Sequence, residues 1–225
     1  MKDMQESLSI KACVRFGWET FKKRPWLFIG TLLVYAVISG ISGSIASSAA
    51  EQGGVLAFIL NALDMLVVQI LLAMGLVAFS LRFHDDASAA RIQDLWAPKM
   101  YWSFLGMSVL SFILVVLGII ALIIPGIILA LGFIFSQYLV IDKGRGAIES
   151  LKESWRITKG HRWELFIFVL VLAVLNILGV LALLVGLLVS VPVTMLAVVH
   201  AYRTLEHKAN EVALAAAAAV APAVA

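Results

Sequence analysis

Cysteine occurs once in this chain, at Cys13, so no internal disulfide can hold the fold. Charge is nearly as scarce: Asp, Glu, Lys and Arg make up 14% of the residues, where soluble domains carry about a quarter. A chain this poor in charge is not a disordered segment, and one cysteine makes no secreted disulfide scaffold. In place of charge there is hydrocarbon, 62% hydrophobic residues with a mean hydropathy of +1.02. A chain of 225 residues has too little interior to hide that much apolar surface from water. The composition therefore reads as a multi-spanning membrane protein and excludes nucleic-acid binders and most soluble enzyme folds.

Charge at mid-bilayer costs at least ~2.5 kcal/mol, so the places where Lys and Arg stop mark the ends of spans. Between Pro25 and Leu81 the only charges are Glu51 and Asp64; from Met100 to Ile141 and from Leu165 to Tyr202 there are none. Each block is long enough for two crossings at about 20 residues apiece. Gly40, Gly43, Gly53 and Gly54 loosen the first block, Pro125-Gly126 divides the second, and Gly186 with Pro192 divides the third. The expected architecture is all-α, six transmembrane helices as three hairpins, within one transmembrane domain over residues 1–206. The spans fall near 26–48, 55–83, 102–124, 126–141, 163–186 and 187–202. The fourth and sixth are short, and re-entrant hairpins compete with full crossing there.

All 17 Lys and Arg residues lie on the face that holds the N-terminus, the links His84–Lys99 and Asp142–Arg162, and the C-terminus. The opposite face keeps only Glu51. By the positive-inside rule the basic face is cytoplasmic, as are both termini. The net charge of +3 and pI of about 9.1 then point to anionic headgroups rather than nucleic acid.

Each block follows a segment that mixes apolar and charged residues at helical spacing: 7–24, 87–99 and 146–162. In the first, Ile10, Val14, Trp18 and Phe21 form a stripe beside Lys11, Arg15, Lys22 and Lys23. In the third, Ile148, Leu151 and Trp155 alternate with Lys152, Arg156 and Lys159. In the middle, Ile92, Leu95 and Trp96 accompany Arg91 and Lys99. These read as interfacial amphipathic helices. Each leads through basic residues to a tryptophan opening a span: Lys22, Lys23 and Arg24 before Trp26, Lys99 before Trp102, and Arg162 before Trp163. An offset of 61 brings Trp102 onto Trp163, Gly118 onto Gly179 and Pro125 onto Gly186, which suggests a repeated unit. The simpler account is that every inner-leaflet crossing favours a basic residue and an aromatic anchor. Ser48-Ala49-Ala50 resembles a cleavage site, but the long apolar run before it favours an uncleaved first span. Residues 207–225 form an Ala-rich tail with no assigned role.

Polar residues within the spans are the candidates for a substrate or ion pathway: Asn61 and Asp64 on the second, Gln137 on the fourth and Asn176 on the fifth. Asp64 is the one acid there. It either titrates in transport or makes a hydrogen bond between helices, for instance with Asn176. His84-Asp85-Asp86 resembles part of a metal site but lacks converging partners, and Asp86 as the N-cap of a following helix is the plainer reading. Asp142 to Gly146 lacks the ending of a nucleotide loop and reads as a tight turn, with a phosphate headgroup seat as the alternative. No nucleophile elbow or zinc-protease motif occurs. No enzyme, metal or cofactor is expected.

Order of motifs carries a resemblance. An amphipathic helix runs into Lys22-Lys23-Arg24-Pro25-Trp26, and the Pro125-Gly126 turn is followed by a span ending near Asp142. Then come Ala147, Ser154, Lys159-Gly160 before Trp163, Gly186, Pro192 and Tyr202-Arg203. In these the chain resembles a family of uncharacterised prokaryotic polytopic membrane proteins related to the membrane domain fused to some glycerophosphodiester phosphodiesterases. The resemblance implies a six-helix module of a prokaryotic plasma membrane with no catalysis of its own. The function expected is engagement of anionic inner-leaflet lipid, or of a membrane protein partner, through basic Trp-bearing helices. Lys22, Lys23, Arg24, Trp26, Lys99, Trp102, Arg156, Lys159, Arg162 and Trp163 would form that interface. The alternative is a small transporter with a polar pathway near Asp64.

Overall fold

Hydrocarbon offers no partner for a backbone amide, so a chain this apolar must satisfy its peptide groups internally, and it does so with helices. The computed structural model describes residues 8–51, 53–95, 100–182 and 185–220, and no strand occurs among them. The helices are α1 (Ile10–Phe21), α2 (Pro25–Glu51), α3 (Gly54–Leu63), α4 (Ile70–Asp85), α5 (Tyr101–Ala121), α6 (Ile123–Gly132), α7 (Ser136–Lys143), α8 (Ala147–Ile157), α9 (Arg162–Leu181) and α10 (Leu187–Val220). A π-helical turn, Asp64–Gln69, joins α3 to α4, and a short 3-10 turn, Ile92–Leu95, precedes α5. Six stretches are long and apolar enough to cross a membrane: Pro25–Ser48, Ala57–Asp85, Tyr101–Ala121, Ile123–Lys143, Arg162–Leu181 and Leu187–Ala215. That is the architecture of a multi-pass membrane protein.

Turn chemistry explains most boundaries. Ser9 caps α1 by accepting the Ala12 N–H at 3.3 Å. Gly53 and Gly54 take φ of 69° and 87°, conformations that reverse the chain between α2 and α3 and that other residues resist. Gly144 (φ 63°) ends α7 in the same left-handed region, so the expected turn over Asp142–Gly146 narrows to residues 144–146, with Asp142 and Lys143 inside α7. The second hairpin departs from expectation. Its break is at Leu122 (φ −164°, ψ 143°), and Pro125 lies in the first turn of α6, where its missing N–H is not needed. The fifth span ends earlier than expected, at Leu181, while α10 continues unbroken past residue 206 to Val220. The boundary expected between domain and tail therefore falls inside a helix.

The middle linker is the main departure. No α-helix covers 87–99; only Ile92–Leu95 turns, and residues 96–99 lie outside the described residues. The linker folds back along α4, bringing the Leu95 carbonyl to 1.8 Å from where a Cβ on Gly75 would stand. Only glycine permits that approach. The Tyr101 hydroxyl donates to the Leu66 carbonyl, so α5 starts beside the middle of the second span. A π turn misaligns the i→i−4 ladder, and this hydroxyl serves a carbonyl within the turn.

The fourth span is interrupted at residues 133–135, between α6 and α7. Helix α8 serves the interruption from one side. The Ser154 hydroxyl donates to the Gly132 carbonyl (2.7 Å) and accepts the Phe135 N–H (3.2 Å), and the Thr158 hydroxyl lies 3.4 Å from the same carbonyl. Helices α1 and α8 each bury one face against the bundle, but not the expected stripes: Cys13, Gly17, Thr20 and Phe21 on α1, with Trp18 exposed, and Ser150, Leu151, Ser154 and Ile157 on α8, with Ile148 exposed. Gly17 lies so close to α10 that a Cβ there would stand 2.4 Å from the Val193 carbonyl oxygen.

Buried side chains form three clusters. The largest joins α1, α4, α7, α8, α9 and α10 around Phe135, Phe168 and Tyr202. A second packs Phe28 against Phe79 and Phe83, and a third gathers Met74, Phe104, Met107, Val140 and Leu151. Contacts also bring one set of helix ends together. Arg24 donates to the Ala87 and Ser88 carbonyls, Glu164 accepts the Leu8 N–H, and Arg156 donates to the Ala209 carbonyl. This end, called the basic end below, is opposite the turns at Gly53-Gly54, Leu122 and residue 186.

Candidate functional site

Tryptophans open three spans, and their rings stay out of the protein. Trp26, Trp102 and Trp163 are 82%, 80% and 72% exposed. In a membrane span such rings face lipid, where an indole has an apolar body for the acyl region and an N–H for the headgroups. The cations beside them differ in their commitments. Lys22, Lys23 and Lys159 are exposed and form no ion pair among the described residues, although Lys22 lies 5.5 Å from the Trp18 ring. Arg24 is tied to the linker carbonyls. Arg156 holds Glu153 (2.6 Å), the Ala209 carbonyl and the Asn210 side chain. Arg162 stacks on Trp155 with its guanidinium carbon 3.5 Å from the ring centroid, and its Nε is buried without a partner. Lys99 lies outside the described residues.

The polar residues expected within the membrane are placed apart, with Asn61 and Asp64 on neighbouring turns of the second span and Asn176 and Gln137 each elsewhere, which makes three groups. Asn61 donates to the Ala46 and Ala57 carbonyls and so joins α3 to α2. Asp64 begins the π turn. Its Oδ2 accepts from Gln69 (3.3 Å), whose Oε1 accepts from Ser39 (3.1 Å), while Oδ1 is buried without a partner. Asn176 faces Thr194 at 3.5 Å on α10 and does not meet Asp64. Gln137 lines an open cleft between α5 and the α6–α7 junction. No hydrogen bond joins these three groups among the described residues. Nor does a group of three or more metal-ligating side chains occur among them.

A charged knot at the basic end escaped sequence reading. Arg203 bridges Asp85 (2.7 Å) and Asp142 (2.8 Å), Tyr202 donates to Asp142 (2.9 Å), and Lys143 pairs with Glu206 (2.9 Å). Beside it His84 and His200 approach to 3.3 Å, and Phe16 stacks on His200. The knot pins the ends of α4 and α7 to the middle of α10. Its members lie 60 and 118 residues apart, so no local spacing announces them. The one available signal was that Asp85, Asp142 and Arg203 all stand at ends of apolar blocks.

Asp86 has a different role from the expected N-cap. No helix starts there, and its carboxylate accepts the Ser88 N–H (2.8 Å) and hydroxyl (2.6 Å), bonds that hold its pKa below the usual carboxylate range. The Arg156 hydrogen bond likewise lowers the Glu153 carboxyl. Burial pushes the Cys13 thiol up to about 11, which leaves it unreactive at neutral pH.

Comparison with known proteins gives one match. The family described as Domain of unknown function (DUF7847) matches residues 93–225, more than half of the chain. No curated protein and no solved structure matches.

Proposed function

The chain belongs to the DUF7847 family, and from that premise and its geometry we propose that it is a non-enzymatic membrane module that binds anionic inner-leaflet lipid at its basic end. One observation carries this reading: the span-opening Trp26 and Trp163 are directed out of the protein, beside exposed lysines Lys22, Lys23 and Lys159 that form no ion pair within the described residues. Each such cation near a headgroup layer contributes about 1 kcal/mol of attraction. Arg24, Arg156 and Arg162 serve the fold, and Lys22, Lys23 and Lys159 serve the lipid. The charge bias favours a cytoplasmic basic end in a prokaryotic plasma membrane, and the same surface suits a membrane protein partner with acidic headgroup-level residues. The order of motifs supports shared descent with the membrane domain fused to some glycerophosphodiester phosphodiesterases.

Lys22, Lys23 and Lys159 changed together to Gln should lower the number of phosphatidylglycerol and cardiolipin molecules retained in native mass spectra. Unchanged retention, with the fold intact, would overturn the reading.

A small transporter is the second reading, favoured by the unpartnered Asp64 Oδ1 at a π turn, a distortion often found at functional sites. In that case Asp64→Asn abolishes proton- or ion-dependent flux in proteoliposomes while the protein stays folded.

A further inference from the structure

A span that breaks inside a membrane has to satisfy its freed backbone groups, and here hydroxyls from a neighbouring segment serve them on one side. Ser154 and Thr158 of α8 cover the Gly132–Phe135 interruption on that side. The α5 side holds an open cleft of about 430 Å³, within the size range of small-molecule sites. Four polar side chains line it: Ser108 and Ser111 on α5, Ser136 and Gln137 at the start of α7.

The hydroxyls differ in what they do. Ser42, Ser44, Ser47 and Ser48 on α2 each donate to the carbonyl three residues back, the usual recourse of a serine in an apolar helix. Ser136 does the same toward Phe133 (2.7 Å). Ser108 and Ser111, three apart on α5, make no hydrogen bond among the described residues and line the cleft instead. A polar group left without a partner in hydrocarbon is costly, and two of them bordering one cleft mark a place for a ligand.

We propose that this cleft binds an uncharged, hydroxyl-bearing glycerolipid of the diacylglycerol type. No charged side chain lines it among the described residues, so a phosphate brought there would be desolvated without compensation. A neutral headgroup offers what the cleft can use: ester and hydroxyl oxygens to accept from Ser108, Ser111 and the Gln137 amide, and a hydroxyl to donate in return. Phe112, Val115 and Ile134 supply apolar walls, and the open side lets the acyl chains stay in the bilayer. The site is separate from the lysines of the basic end and stands whether or not they bind anionic lipid.

The full chain in nanodiscs of phosphatidylethanolamine and phosphatidylglycerol, exposed to a diazirine-bearing diacylglycerol or a diazirine-bearing phosphatidylglycerol, tests this by mapping the labelled peptides. The diacylglycerol probe labels segments 107–115 and 130–137, and unlabelled dioleoylglycerol competes it away. Ser108→Ala with Ser111→Ala lowers that labelling about tenfold, as expected for two hydrogen bonds between neutral groups. Ala130→Leu, at an exposed cleft-lining position that tolerates a larger side chain, lowers it by filling the space and carries the test if the double variant does not fold. Equal labelling by the phosphatidylglycerol probe, or labelling that survives Ala130→Leu, overturns the proposal.

Discussion

The two ends of the molecule are built on different rules. At the basic end, side chains from distant helices interlock: Phe28 is fully buried between Phe79 (5.1 Å) and Phe83 (5.0 Å), and Arg203 joins Asp85 to Asp142. At the far end each hairpin stands nearly alone, with Ile120, Leu122 and Leu181 exposed. Those hairpins are closed by glycine. A Cβ on Gly118 would come within 3.0 Å of the Gly126 Cα, and one on Gly186 within 2.6 Å of the Gly179 carbonyl oxygen. A close approach of two glycines thus closes each of these hairpins, with spacings of eight and seven residues. The physical reason for the contrast is solvent. Lipid tails are as apolar as leucine, so nothing drives the far ends together, whereas at the basic end polar groups and water make burial worthwhile.

The largest effect that would sharpen this contrast is a matched pair of truncations. Phe28→Ala should destabilise by about 3 kcal/mol, while Phe112→Ala, at a side chain 69% exposed, stays within about 0.5 kcal/mol. Unfolding in mixed micelles titrated with dodecyl sulfate measures both, and equal losses would erase the distinction. Glycines give a second comparison. Gly17→Ala pushes α1 off α10 and should cost about 2 kcal/mol, whereas Gly40→Ala on α2 meets nothing within 4 Å and should gain roughly 0.5 kcal/mol. Thermal melts in detergent would read the opposite signs.

The smallest effect is a pH dependence confined to the basic end. Glu153 titrates below its ordinary value because Arg156 holds it, so its contribution is present above about pH 4.3 and is lost as the pH falls through the lowered value. Glu153→Gln should therefore flatten the acid limb of a stability profile. A limb with unchanged slope would mean that the Glu153–Arg156 pair within α8 adds nothing to the fold.

Sequence reading served best where one residue type decides the outcome. The six apolar stretches and the Gly53-Gly54 and Gly144 turns were legible because hydropathy and left-handed φ are local properties, whereas the faces that α1 and α8 bury were not legible. The middle linker was misread for the opposite reason. Its apolar residues have helical spacing, yet the linker is held against Gly75 by a close approach that no spacing in 87–99 encodes. The break of the second hairpin was placed at Pro125 because proline is the usual punctuator, but proline is also at home in a first helical turn, and the extended residue is Leu122.

By itself, then, the sequence determined that this chain enters a membrane, how many times it is able to cross, and which face keeps the charge, since each of these follows from transfer energies summed along the chain. Tertiary structure alone decided which cations form no ion pair among the described residues and which are consumed by the fold, because Arg24, Arg156 and Arg203 find partners more than 50 residues away. It also decided that Asp64, Gln137 and Asn176 sit apart, and that two unpaired hydroxyls on α5 border a cleft beside a broken helix. Such facts depend on how helices are set against one another, and helix packing is a property of pairs of surfaces that a single strand of residues does not display.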